Sequence, residues 1–109
     1  MRQISESDWK KIRNMKYDLL NIACGRINDK ISKVIDQKDL SNHQKYLKIW
    51  ELLKKKDYQI SIMFDDLKRS TALQKLAVWK KNKLITDEDL MQFSEETRSR
   101  INLLAGIWR

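Results

Sequence analysis

The chain has 109 residues, and its 23 lysines and arginines outnumber 15 aspartates and glutamates, for a formal net charge of +8. It holds no proline, two glycines, one cysteine and one histidine, which argues against a turn-rich sheet, an intramolecular disulfide and the usual tetrahedral zinc set. Hydrophobic residues make up 41% and include four tryptophans, enough for one folded core and too little for two.

Met1 to Asp8 is polar and acidic, without the apolar run of a signal peptide, and nowhere do 18 apolar residues stand together. The expectation is a cytoplasmic protein in a reducing compartment, with no membrane contact. Ser5 or Ser7 opens the first periodic segment. Tyr17, Leu20, Cys24, Ile27, Ile31 and Val34 follow steps of three and four, which predicts one buried stripe on a helix from Ser7 to Asp36. Trp9, Ile12, Leu19 and Ala23 widen that stripe in its first half. Cys24 reads as a small buried hydrophobe, and Gly25 as a mark of close helix packing or a local bend.

Gln37, Lys38 and Asp39 break the pattern. Ser41 followed by Gln44 is a capping box that starts helix two. Its predicted stripe is Tyr46, Ile49, Trp50, Leu53, Ile60, Phe64 and Leu67. Tyr58, Ile60, Ile62 and Phe64 also alternate as a strand would, but a lone strand has no partner here, so the segment reads as helix. The apolar phase changes after Leu67, predicting a turn over Lys68 to Thr71 with Ser70 or Thr71 capping helix three. That helix carries Leu73, Leu76 and Ala77, runs to Lys81, and ends with Asn82 as a left-handed residue. Thr86 with Asp87, Glu88 and Asp89 starts a short helical turn, because carboxylates favour the positive end of the helix dipole. Ser94, Glu95 and Glu96 open the last helix, with Ile101, Leu104 and Ile107 on one face and Gly106 at its fraying end.

Charge is uneven: residues 41 to 83 hold 11 bases against 4 acids. A hairpin of helices two and three pivoting near Arg69 brings Lys54, Lys55 and Lys56 to the same end as Lys80, Lys81 and Lys83. Six ammonium groups there form a phosphate-seeking patch, and Trp79 beside Lys80 and Lys81 offers a ring for stacking a base. Against this stand a solvated charged face for the lysines and a core or oligomer role for Trp79. His43 falls at a helix start, which does not suit phosphotransfer. Asp65 and Asp66 point in different directions on a helix and favour a local Asp65–Arg69 ion pair over a cation site. The acids at 87–89 and 95–96 are complementary to the basic segment and suit a contact between two copies.

No glycine-rich phosphate loop, nucleophile elbow, zinc-protease motif or Cys-x-x-Cys occurs, so the expectation is a non-enzyme without a cofactor. The predicted fold is all-α, an antiparallel bundle of four main helices with a short extra turn. Helix one, roughly 45 Å long at 1.5 Å per residue, is longer than helices three and four can cover. A homo-oligomer, with a dimer favoured, supplies the missing cover through Trp9 or the Trp79 and Trp108 region. Two functions follow: an oligomeric adaptor or regulator docking a protein partner through an apolar helix face, and a nucleic-acid-binding protein using the lysine patch without reading sequence.

Overall fold

A computed structural model describes the backbone of residues 3–107 and the side chains of residues 3–104; Trp108 lies outside the described residues. Five helices follow in order: α1 (Glu6–Ile35), α2 (Asn42–Phe64), α3 (Ala72–Lys81), α4 (Asp87–Leu90) and α5 (Glu95–Ile107), with no strand among the described residues. The protein is all-α, and the alternating segment 58–64 is helix.

Side-chain oxygens start four of the five helices by accepting backbone N–H groups that have no partner inside the helix. Ser5 Oγ accepts from the Asp8 N–H at 3.2 Å, and Ser94 Oγ accepts from the Thr97 N–H at 3.3 Å. Ser41 with Gln44 and Thr86 with Asp89 form reciprocal capping boxes. Helix α3 is the exception. Thr71 precedes it, but its hydroxyl turns back to donate to the Asp66 carbonyl at 2.7 Å and to accept from the Lys68 N–H at 3.1 Å. The turn is longer than expected because α2 stops at Phe64, so the helical four-residue step from Asp65 to Arg69 is lost. Arg69 instead donates to the Ile4 carbonyl at 2.9 Å and pairs with Glu6 at 3.5 Å, while Lys68 pairs with Asp66. The left-handed residue after α3 is Lys83, φ 59°, rather than Asn82, φ −87°.

The core gathers Ile12 and Leu19 of α1, Met63 and Phe64 of α2, Leu76 and Trp79 of α3, Phe93, and Ile101 of α5. One acid is buried with them. Asp8, 2% exposed, accepts from the Ser94 hydroxyl at 2.6 Å, the Thr97 hydroxyl at 2.7 Å and the Ser94 N–H at 3.2 Å, so the start of α1 is clasped to the start of α5. Burial works against its ionisation, but the donors of Ser94 and Thr97 and the charge of Lys11 outweigh burial and hold the carboxyl below its ordinary range.

This acid belongs to the inward face of α1. The buried positions are Asp8, Ile12, Leu19, Ala23 and Val34, whereas Tyr17 is 75% exposed and the Cys24 thiol is exposed and free. Ile12, Leu19, Ala23 and Val34 are thus buried as expected, and it is Tyr17 and Cys24 of the predicted stripe that lie on an exposed flank. Close packing does not explain Gly25 either, since a Cβ there meets nothing within 4 Å.

Helix α1 packs chiefly on α2 and α3 chiefly on α5. The molecule measures 53 × 24 × 22 Å with a radius of gyration of 16.9 Å, against about 13 Å for a compact chain of this size. The elongation has a simple source. Helices α3, α4 and α5 collect around the first half of α1 and the end of α2, and the rest of the α1–α2 hairpin projects beyond them.

Candidate functional site

Helices α2 and α3 do form a hairpin. The Trp79 indole Nε1 donates to the Met63 carbonyl at 2.9 Å, the Trp79 and Phe64 rings lie 5.8 Å apart, and Lys75 Nζ donates to the Ile62 carbonyl at 2.7 Å. Pairing of 63 with 79 puts the pivot at 71, two residues later than Arg69.

The six lysines differ in exposure and in partners, and neighbours on a helix diverge by about 100°. Lys54 turns outward and pairs with Glu51 at 3.7 Å. Lys55 is exposed on another side, and Lys56 points inward, half-buried, donating to Gln59 Oε1 at 3.2 Å. Lys80 pairs with Asp87 at 2.9 Å, so that acid is engaged within its own chain. Lys81 lines a smaller groove with Gln59 and Val78, and Lys83 is exposed after α3. Trp79 is 0% exposed, and its N–H is taken by Met63. It is a core residue and has no face on which to stack a base.

Two other features emerge. The first is a cleft of about 400 Å³ between α1, α2 and the end of α3. Ala23, Ile60 and Met63 give it apolar lining, and its charged lining is Arg26, Lys30, Lys33 and Lys56 with one acid, Asp29. Arg26 is held in place by donating to the Asn82 carbonyl at 3.0 Å and the Lys83 carbonyl at 2.8 Å, which also satisfies the C-terminal end of α3. The Lys30 ammonium beside it, together with burial and the charge of Lys55, pushes Lys56 below the ordinary lysine range. Counting charge only along α2 and α3 misses three of these four cations. Their signal was present in the spacing of Arg26, Lys30 and Lys33, at i, i+4 and i+7 on one face of α1.

The second is apolar. Tyr46, Trp50 and Leu53, predicted for the core, are 65%, 54% and 41% exposed. At i, i+4 and i+7 they share one flank of α2, and the cleft and smaller groove place α3 on the other flank. Helical spacing puts Ile31 and Ile35 on the matching flank of α1, and Ile35 is 52% exposed. The projecting hairpin thus has an apolar face turned away from α3.

Among the described residues no group of three or more His, Cys, Asp or Glu side chains is placed to hold a metal ion, and no helix is long and apolar enough to cross a membrane. No protein-family model, curated protein or solved structure matches the chain.

Proposed function

We propose that the protein is a non-catalytic cytoplasmic interaction module whose projecting hairpin docks a second copy of itself, and that the dimer presents the remaining helix surfaces to a protein partner. The observation that carries this reading is the exposure of Tyr46, Trp50 and Leu53 on one flank of α2. With Ile35 they offer on the order of 400 Å² of apolar surface, because a full aromatic side chain presents about 150–250 Å². That is the scale of the largest patch on a typical monomer, which is often functional. A second copy is the fitting occupant because two hairpins laid face to face make a four-helix antiparallel bundle, two helices from each chain, on a self-complementary two-fold contact. Each chain brings a net charge of +8, so the apolar face has to overcome like-charge repulsion that salt screens.

Sedimentation equilibrium tests this directly. A monomer–dimer equilibrium that tightens from about 50 to 500 mM salt, and is abolished by Trp50→Glu with the helical circular dichroism intact, is the expected outcome. A monomer up to about 100 μM at every salt overturns the second copy as occupant and leaves the face to a different protein's amphipathic helix.

The wider nucleic-acid reading loses its platform with Trp79 buried and Lys54 and Lys80 paired. What remains of the basic surface is the cleft.

A further inference from the structure

We propose that the cleft between α1, α2 and the end of α3 binds a compact phosphate-bearing anion, with Lys30, Lys33 and Lys56 as donors and Arg26 as a fixed positive charge. This goes beyond the docking role and does not depend on it, because the cleft lies on the α3 side of the hairpin and the apolar face on the other.

The argument starts from charge left unbalanced. Four cations line the cleft with one acid, Asp29, and none of the ion pairs among the described residues involves Arg26, Lys30, Lys33 or Lys56. Lys30 and Lys56 reach this place from different helices, so nothing in local helix geometry forces them together; the packing of α1 on α2 does. Two ammonium groups held side by side repel, and the low position of the Lys56 titration is the consequence of that neighbour and of burial. A bridging anion reverses the sign of the interaction and turns two repulsive contacts into charge-assisted hydrogen bonds.

The remaining details suit a phosphate group. Arg26 is held by one hydrogen bond from each terminal nitrogen to the Asn82 and Lys83 carbonyls, so it contributes a rigidly placed positive charge. Gln59 accepts from Lys56 and orients it. The volume of about 400 Å³ falls in the range of small-ligand sites, about 300–1,000 Å³, and accommodates a diphosphate with part of the group it is attached to. The apolar lining from Ile60 and Met63 suits that attached group better than a bare ion.

The test is calorimetric titration with inorganic diphosphate at low salt. One-to-one binding is expected, weakened at least about tenfold by Lys30→Gln and by Lys56→Gln, the worth of one charged hydrogen bond, and unchanged by Lys10→Gln, which removes an equal charge elsewhere on α1. On saturation the Lys56 titration followed by NMR should move upward, since a bound anion favours the ammonium form. No binding at about 10 mM diphosphate, or equal weakening by Lys10→Gln, overturns the site. Both cleft variants are expected to melt no lower than the parent, because each removes one of two repelling charges; a lower melting point assigns these lysines to the fold and also overturns it. Competition between diphosphate and a single-stranded oligonucleotide supports the cleft and identifies a polymer backbone as the phosphate source, whereas binding without competition supports it and identifies a small phosphorylated molecule.

Discussion

The two ends of the molecule treat their aromatic residues in opposite ways. At the compact end Trp79 is 0% exposed, Phe64 and Phe93 are each 3% exposed, and the single indole N–H in that core has a carbonyl partner. Along the projecting hairpin Tyr46 and Trp50 remain more than half exposed on a helix whose other flank is packed. Composition does not separate the ends, since each has its tryptophan and its aliphatics. Cover does: three elements enclose the first half of α1, while the second half has α2 and only the end of α3, which Arg26 reaches. The compact end has completed its folding energetics within one chain, and the hairpin has apolar surface in reserve.

That contrast breaks most sharply at Trp79. Trp79→Ala leaves a cavity and an unpaired Met63 carbonyl, and is expected to cost about 3–5 kcal/mol, read as a large fall in the denaturation midpoint. Asp8→Ala comes next. It strands the hydroxyls of Ser94 and Thr97 and is expected to cost about 2–3 kcal/mol. The same carboxylate gives the parent an acid-sensitive component. Its folded pKa lies below the unfolded value of about 3.9, so its stabilisation is complete above that value and fades as pH falls through the folded pKa. As pH falls below about 4, the difference in melting point between the parent and Asp8→Ala should shrink progressively. On the hairpin, Gly25→Ala is expected to stabilise by about 0.5–1 kcal/mol, because the added methyl meets nothing; a loss of stability would reveal a packing role for the glycine. The smallest effect belongs to Trp50→Ala, expected to move the unfolding free energy by less than about 0.5 kcal/mol when measured at a concentration where the parent is monomeric. A cost near that of Trp79→Ala would erase the distinction between the two ends.

Helix boundaries were legible because they are local chemistry. Ser5, Ser41, Thr86 and Ser94 each act within three residues along the chain; Ser41, Thr86 and Ser94 were legible outright as starts, and the first start, open between Ser5 and Ser7, is Ser5. The turn before α3 was less legible, since the Thr71 hydroxyl is drawn off by the Asp66 carbonyl instead of capping forward. Which face each helix buries was not local. On α1 periodicity found Ile12, Leu19, Ala23 and Val34 but added the exposed Tyr17 and Cys24 and missed the carboxylate Asp8, whose donors lie 86 and 89 positions away. On α2 the apolar letters exceed what one chain can cover, and Tyr46, Trp50 and Leu53 look like core in a sequence because they are built as core is built. Lys54, Lys55 and Lys56 differ in exposure and partners because consecutive helical residues face different directions. The cation cluster that does form unites Lys56 with three residues of α1, and it depends on the packing of α1 against α2, which no run of letters displays.

The clasp between Asp8 and Ser94 also bears on the order in which the chain takes shape. A ribosome has to release residues through Thr97 before α1 meets its last partner, whereas the α1–α2 hairpin is complete once Phe64 has cleared the exit tunnel. Contacts separated by so many residues close slowly. The hairpin with its apolar flank can therefore form during synthesis while the other end is still waiting for α5.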